Sequence, residues 1–221
     1  MGLDQSPLIV TDGLVGYWDA ANPRSYAGSG ITAYSLIGNA VGALNNGTGF
    51  TSSNNGNFIL NGGGGNYINI TNNNFIYGSS PRTVMSWSKI TSNDGSTHAS
   101  FSYGSAGSNQ AFFIGVYGLN PFCGAWANDL TAGNTTVSLD TWFHTACVYD
   151  GTTAYLYVAG ILTTYATKGW STVSNNAFIG RQVDSGQYWF GNVAQVQLYN
   201  RALSVQEILQ NYNATKGRFG L

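Results

Sequence analysis

Charged residues are scarce in this sequence. Eight Lys and Arg face nine Asp and Glu in 221 residues, 8% of the chain, where an ordinary globular domain carries roughly 25%. A net charge of −1 excludes a nucleic-acid binder, because phosphate recognition needs clustered cations. Three lysines (Lys89, Lys168, Lys216) and five scattered arginines form no such patch. Glutamate occurs once, as Glu207, which removes any chemistry built on paired glutamates. Two cysteines, Cys123 and Cys147, are too few for a disulfide framework. Both sit in strand-like runs and read as buried thiols, bridged only if their strands are neighbours of suitable geometry. The two histidines, His98 and His144, are too far apart in sequence for zinc-ligand spacing, and no Ser/His/Asp or Cys/His signature surrounds them. No stretch approaches the ~18 apolar residues that cross a bilayer. The opening residues Met1–Pro7 lack the basic and apolar segments of a secretory signal. Neither membrane insertion nor export is therefore expected.

What is abundant is aromatic and small polar. Aromatics reach 14% and hydrophobic residues 43%, enough to build a sizeable core and to argue against disorder. The polarity missing from charges resides in 30 Gly, 24 Asn, 21 Ser and 20 Thr. Helical periodicity is nearly absent before residue 203. Short apolar runs bounded by Gly, Asn, Asp and Ser recur instead, as in Tyr67–Ile70, Val84–Lys89, Ala111–Tyr117, Phe143–Tyr149 and Val193–Tyr199. In the last of these, Ala194, Val196 and Leu198 should share one face and Gln195 and Gln197 a wet opposite face. Asp150-Gly151 and Asn93-Asp94-Gly95 are hairpin-type turn signals, and the Gly62–Gly65 run reads as a turn between strands, since it lacks the lysine of a phosphate loop. Regular short strands predict an all-β fold, a two-sheet antiparallel sandwich. One helix is written plainly: Ser204-Val205-Gln206-Glu207 is a capping box with Leu203 and Ile208 as staple, which predicts a helix from Val205 to about Tyr212. The only glutamate thus has a structural task. The division expected is an N-terminal arm, 1–12, a sandwich domain, 13–213, and a tail, 214–221.

Several runs, in order, resemble the concanavalin A-like lectin/glucanase superfamily, in particular its laminin-G-like members. They include Gly13–Trp18, Asn66–Ile70, Thr83–Lys89, Trp142–Gly151, Leu156–Gly160, Phe178–Arg181, Phe190–Val196 and Leu198–Ser204. The closing stretch Gln210–Gly220 looks like the ends of such modules in phage and other virus structural proteins. The resemblance implies a jelly-roll sandwich carrying one short C-terminal helix, and a hydrogen-bonded core histidine at His144. It also implies a choice among lectins, calcium-dependent adhesion modules and glucan hydrolases, which fold alone does not make.

Residue chemistry narrows that choice. Retaining hydrolases need two carboxylates about 5 Å apart, and one capping glutamate cannot supply them, so no enzyme is expected. Calcium wants clustered oxygen ligands. Family members often carry an Asp-Glu pair where this chain reads Ala194-Gln195, so a cofactor is not expected, with calcium open only through the loop acids Asp94, Asp129 and Asp184. Loop aromatics beside amides and carboxylates suit sugar rings, which stack on aromatics while their hydroxyls find hydrogen-bond partners. Trp126 with Asn128 and Asp129, Trp170, and Trp189 near Asp184 are the carbohydrate-site candidates, set against tryptophans that merely plug the ends of the sandwich. The apolar Leu8, Ile9 and Val10 of the arm need cover and are the candidate anchor to a capsid. The function expected is a non-enzymatic phage virion protein assembled in the host cytoplasm, most simply a capsid decoration protein, whose partners are a capsid or tail protein of the same particle. The alternative is a glycan-binding lectin or receptor-binding module of a tail fibre or adhesin, meeting a cell-surface glycan. Self-association is compatible with either.

Overall fold

A computed structural model describes residues 7–72, 75–183 and 186–221. The strands follow the chain as β1 (Leu14–Asp19), β2 (Thr32–Tyr34), β3 (Val41–Asn45), β4 (Gly49–Thr51), β5 (Asn57–Asn61), β6 (Tyr67–Thr71), β7 (Arg82–Ile90) and β8 (Thr97–Gly104). They continue as β9 (Ala111–Tyr117), β10 (Asn120–Gly124), β11 (Leu130–Thr131), β12 (Trp142–Tyr149), β13 (Thr153–Val158), β14 (Ile161–Thr167), β15 (Asn176–Ile179) and β16 (Phe190–Tyr199). Among the described residues one α-helix, α1 (Val205–Thr215), runs into a 3₁₀ turn at Lys216–Phe219. The strands form two eight-stranded antiparallel sheets. The first has the order β14-β13-β12-β7-β16-β5-β4, with β1 also on β16; the second has the order β11-β10-β9-β8-β15-β6-β3-β2. This is the expected jelly-roll sandwich with one C-terminal helix.

The inner faces meet in one aromatic core containing Trp18, Phe58, Phe101, Tyr103 and Phe112. Three inward-facing serines are bonded: Ser86 lies 2.9 Å from both Ser88 and Ser100, and Ser100 donates to Ile114 O. That ladder ties β7 to β8 across the sandwich, and it lets a strand as polar as β8 be buried. Cys123 of β10 and Cys147 of β12 are free thiols buried in the same core, and burial pushes the Cys123 thiol well up.

The helix is capped as its sequence predicts, with Ser204 accepting from Glu207 N and Glu207 Oε2 from Ser204 N, at 3.3 and 2.8 Å. Both carboxylate oxygens of Glu207 also receive the Arg201 guanidinium, at 2.6 and 3.0 Å. These bonds, led by the one from Arg201, pull the carboxyl down to about 2.

Three expectations about the first sheet need correction. A bulge between Val193 and Gln195 on the β7 edge shifts the alternation of β16. Ala194 therefore joins Trp87 and Phe219 on the outer face rather than Val196 and Leu198 in the core. The outer face is not wet: Gln195 and Gln197 are buried because the chain beyond residue 203 lies over them. There Phe219 stacks on Trp87 at 4.2 Å and Thr215 accepts from Trp87 Nε1 at 2.7 Å. His144 sits in this layer between Trp87 and Tyr212. Its ring is buried as expected, but Nδ1 has no hydrogen-bond partner, and burial pushes its pKa down to about 3.

Candidate functional site

At one end of the second sheet three loops converge: the β8–β9 connection, the Gly124–Asp129 turn and the segment from Lys168 to Thr172. Asn109 N donates to Trp126 O and Ser171 N to Asn109 O, at 3.1 and 2.8 Å. Asn128 bridges all three, giving its Nδ2 proton to Asn109 Oδ1 at 2.6 Å and accepting from Lys168 Nζ at 3.0 Å. Lys168 also donates to Asp129 O at 2.6 Å. The outcome is a rim in which Trp126, Asn128, Asp129 and Trp170 are brought together from separate parts of the sequence.

These four do different things. Trp126 is half-buried, edging onto the aromatic cluster of Phe113, Phe122 and Phe178 on the sheet's outer face. Its φ is +63°, followed by +55° at Ala127, a left-handed conformation that a bulky residue adopts only when its surroundings enforce it. Asp129 is exposed as a residue, yet its carboxyl rests against Gly124, where a Cβ would collide with it. That partial withdrawal from water raises the carboxyl above its usual range, with Lys168 pulling it back. Asn128 has its amide committed inward, so it positions the rim rather than facing solvent.

Trp170 is fully buried, donates Nε1–H to Asn128 O at 2.8 Å, and packs on Phe112 and Tyr149. A buried indole has no face to offer a sugar; Trp170 is the support beneath the rim. Trp189 is buried likewise, donating to Lys89 O at 3.2 Å beside Phe143, so it plugs the other end. Asp184 lies outside the described residues.

The two described loop acids stand apart. Asp94 bonds His98 near the start of β8, while Asp129 rests at Gly124, whose ladder partners are Phe113 and then Ser102, about 13 Å further along the strand at ~3.3 Å per residue. They cannot share a cation. The described residues contain no cluster of three His, Cys, Asp or Glu side chains suited to a metal ion. Asp94 is instead bonded to His98 Nε2 and Ser96 N, both at 2.8 Å. These bonds, His98 first, hold its carboxyl below the usual range.

Of the candidate anchor, only Leu8 stands clear, 83% exposed. Val10 is buried in the fold: its N–H donates to Asn211 Oδ1 at 2.7 Å and its carbonyl accepts from Tyr199 OH at 2.8 Å. Ile9 packs against the same cluster beneath α1. Sequence reasoning passed over Asn109, whose φ of +65° is typical of an Asn in a tight turn, and the ammonium of Lys168.

The fold and this rim define a lectin-like sandwich. The laminin G-type family model described as concanavalin A-like lectin/glucanases superfamily matches residues 61–209, and the chain belongs to that superfamily. Comparison with curated proteins returns no match. Among solved structures, the binding domain of Paraclostridial Mosquitocidal Protein 1 is similar at 16% identity and TM-score 0.69, covering 91% of this chain and 52% of that one. The botulinum neurotoxin type G receptor binding domain gives 12% identity, TM-score 0.68 and coverages of 91% and 51%. This chain thus spans about half the length of those toxin domains. Domain 4 of AbnA, an extracellular GH43 arabinanase from Geobacillus stearothermophilus solved with arabinotriose, gives 13% identity, TM-score 0.62 and coverages of 90% and 98%. At such identities the likeness is one of fold.

Proposed function

We propose that this chain is a non-catalytic glycan-binding module whose ligand lies against Trp126. The observation that carries the reading is the left-handed backbone at Trp126 and Ala127, tied by Asn109 and the Asn128–Lys168 bonds into a rim that carries both a half-buried indole and the Asp129 carboxylate. Strain kept in place by surrounding bonds is a mark of functional loops, and an aromatic beside a carboxylate suits a sugar ring and its hydroxyls. A hydrolytic role has no support in Glu207, whose oxygens are taken by Arg201 and the helix cap. The similarity to toxin binding domains and to an arabinanase accessory domain supports glycan binding over capsid decoration. Carriage on a virion draws only on the closing sequence and on Leu8 standing free for a neighbour. A glycan array followed by calorimetry tests the reading. Trp126→Ala should weaken the best array hit at least ~5-fold, given the ~1–3 kcal/mol that one aromatic stack contributes, with the melting curve little changed. An array without specific hits, or undiminished binding by Trp126→Ala, would refute it.

A further inference from the structure

The opposite end of the second sheet holds a cavity of about 310 Å³ lined by Gly62, Gly65, Asp94, His98, Tyr188 and Phe190, among others. That volume is at the lower end for small-ligand sites. Its wall needs glycine. A Cβ on Gly62 would enter the Phe190 ring, and one on Gly65, at φ +67°, would press on Tyr188.

His98 is the crossbar of this cavity. Buried to 2% exposure, it points Nδ1 at Tyr188 O, 2.7 Å away, and Nε2 at Asp94 Oδ1, 2.8 Å away. Asp94 Oδ1 also accepts from Ser96 N, so both ring nitrogens and the carboxylate that meets one of them are engaged. The T-shaped contact of His98 with the Phe190 ring at 5.1 Å fixes its plane. The Asp94 side chain stays 50% exposed and shares the cavity lining with the half-buried Tyr188.

We propose that this cavity is a second sugar pocket, in which an uncharged sugar ring packs on Tyr188 and its hydroxyls donate to Asp94. It rests on the glycan-binding reading and deepens it, making the module two-sited along one sheet. The lining carries one carboxylate, Asp94, and no Lys or Arg; it accepts from hydroxyls and repels an anionic sugar, so neutral sugars are the ligand class. His98 is a positioning residue: it spans the cavity and holds Asp94 and the Tyr188 backbone in register.

The test is an amide NMR titration of the full chain with arabinotriose and, separately, maltotriose as neutral probes. With at least one probe, saturable shifts are expected at Ser96, Gln187 and Tyr188. They should survive Trp126→Ala and weaken at least ~10-fold in Asp94→Asn, which keeps an oxygen for Ser96 N and thus the turn. His98→Gln should weaken pocket binding and leave the shifts near Trp126 intact. Shifts confined to the Trp126 rim, or pocket shifts indifferent to Asp94→Asn, would overturn the second pocket and leave the proposed function standing. No shift at either end with either probe, together with a blank glycan array, would remove both.

Discussion

His144 should make this protein acid-sensitive in a way its carboxylates do not. The imidazole is 2% exposed between Trp87 and Tyr212, with Nδ1 unpartnered. Burial moves its pKa from 6.5 to about 3, because protonation would place an uncompensated cation in an apolar layer. The unfolded chain therefore binds a proton between pH 6.5 and 3 that the native state refuses. Stability is full above pH 6.5 and falls as the pH drops toward 3. At 1.36 kcal/mol per unit, the loss two units below 6.5, at pH 4.5, is about 3 kcal/mol, a large part of the 5–15 kcal/mol of a typical domain. Urea unfolding of wild type and His144→Phe at pH 7.5 and 4.5 measures it. Phe keeps an aromatic ring against Trp87, and any packing penalty it brings is the same at both pH values. Carboxylate contributions, chiefly those of Glu207 and Asp94, are common to both proteins and cancel in the difference. The variant should lose about 3 kcal/mol less than wild type between the two pH values. Equal losses would show that His144 is hydrated or bonded in the native state, and the argument would fail.

Two further outcomes are expected. Ser204→Ala should lower stability by about 1 kcal/mol, read as an earlier urea midpoint, since it removes the acceptor of Glu207 N. Arg201→Gln should in addition flatten the acid limb between pH 4.5 and 2. Glu207 stabilises the fold above its unfolded value of 4.5, and that contribution fades as pH falls toward about 2; an unchanged limb would discount the ion pair.

The sequence discloses elements whose local pattern and tertiary role agree. The capping box, the Asp150-Gly151 hairpin, in which Asp150 Oδ1 accepts from Thr152 N and Thr153 N, and the apolar runs of β7, β9 and β12 all belong to that group. It conceals elements whose burial depends on a partner elsewhere. Strand β8 reads as Thr-His-Ala-Ser-Phe-Ser-Tyr-Gly, polar at alternate positions, and is central only because Ser100 bonds to Ser86 and Ser102 to Arg181 O. The edge strand β14 is just as hard to read, being largely exposed.

The same limit governs the site. Trp126, Trp170 and Trp189 are alike as letters near small polar residues, and only backbone geometry separates the one that edges onto the surface from the two that close the ends. Nothing in Ala125-Trp126-Ala127 signals two successive left-handed residues. The outer face of the first sheet carries as much hydrogen-bonding chemistry as the rim: Tyr17, Asp19, Gln195 and Arg218 form one connected cluster. There it is used up holding the chain's own C-terminal segment, with Arg218 bound to Asn54 O, Gly56 O and Asp19. On the reading proposed above, recognition in a protein with so few charges falls to end loops of the second sheet that carry an aromatic and a carboxylate, Trp126 with Asp129 and Tyr188 with Asp94.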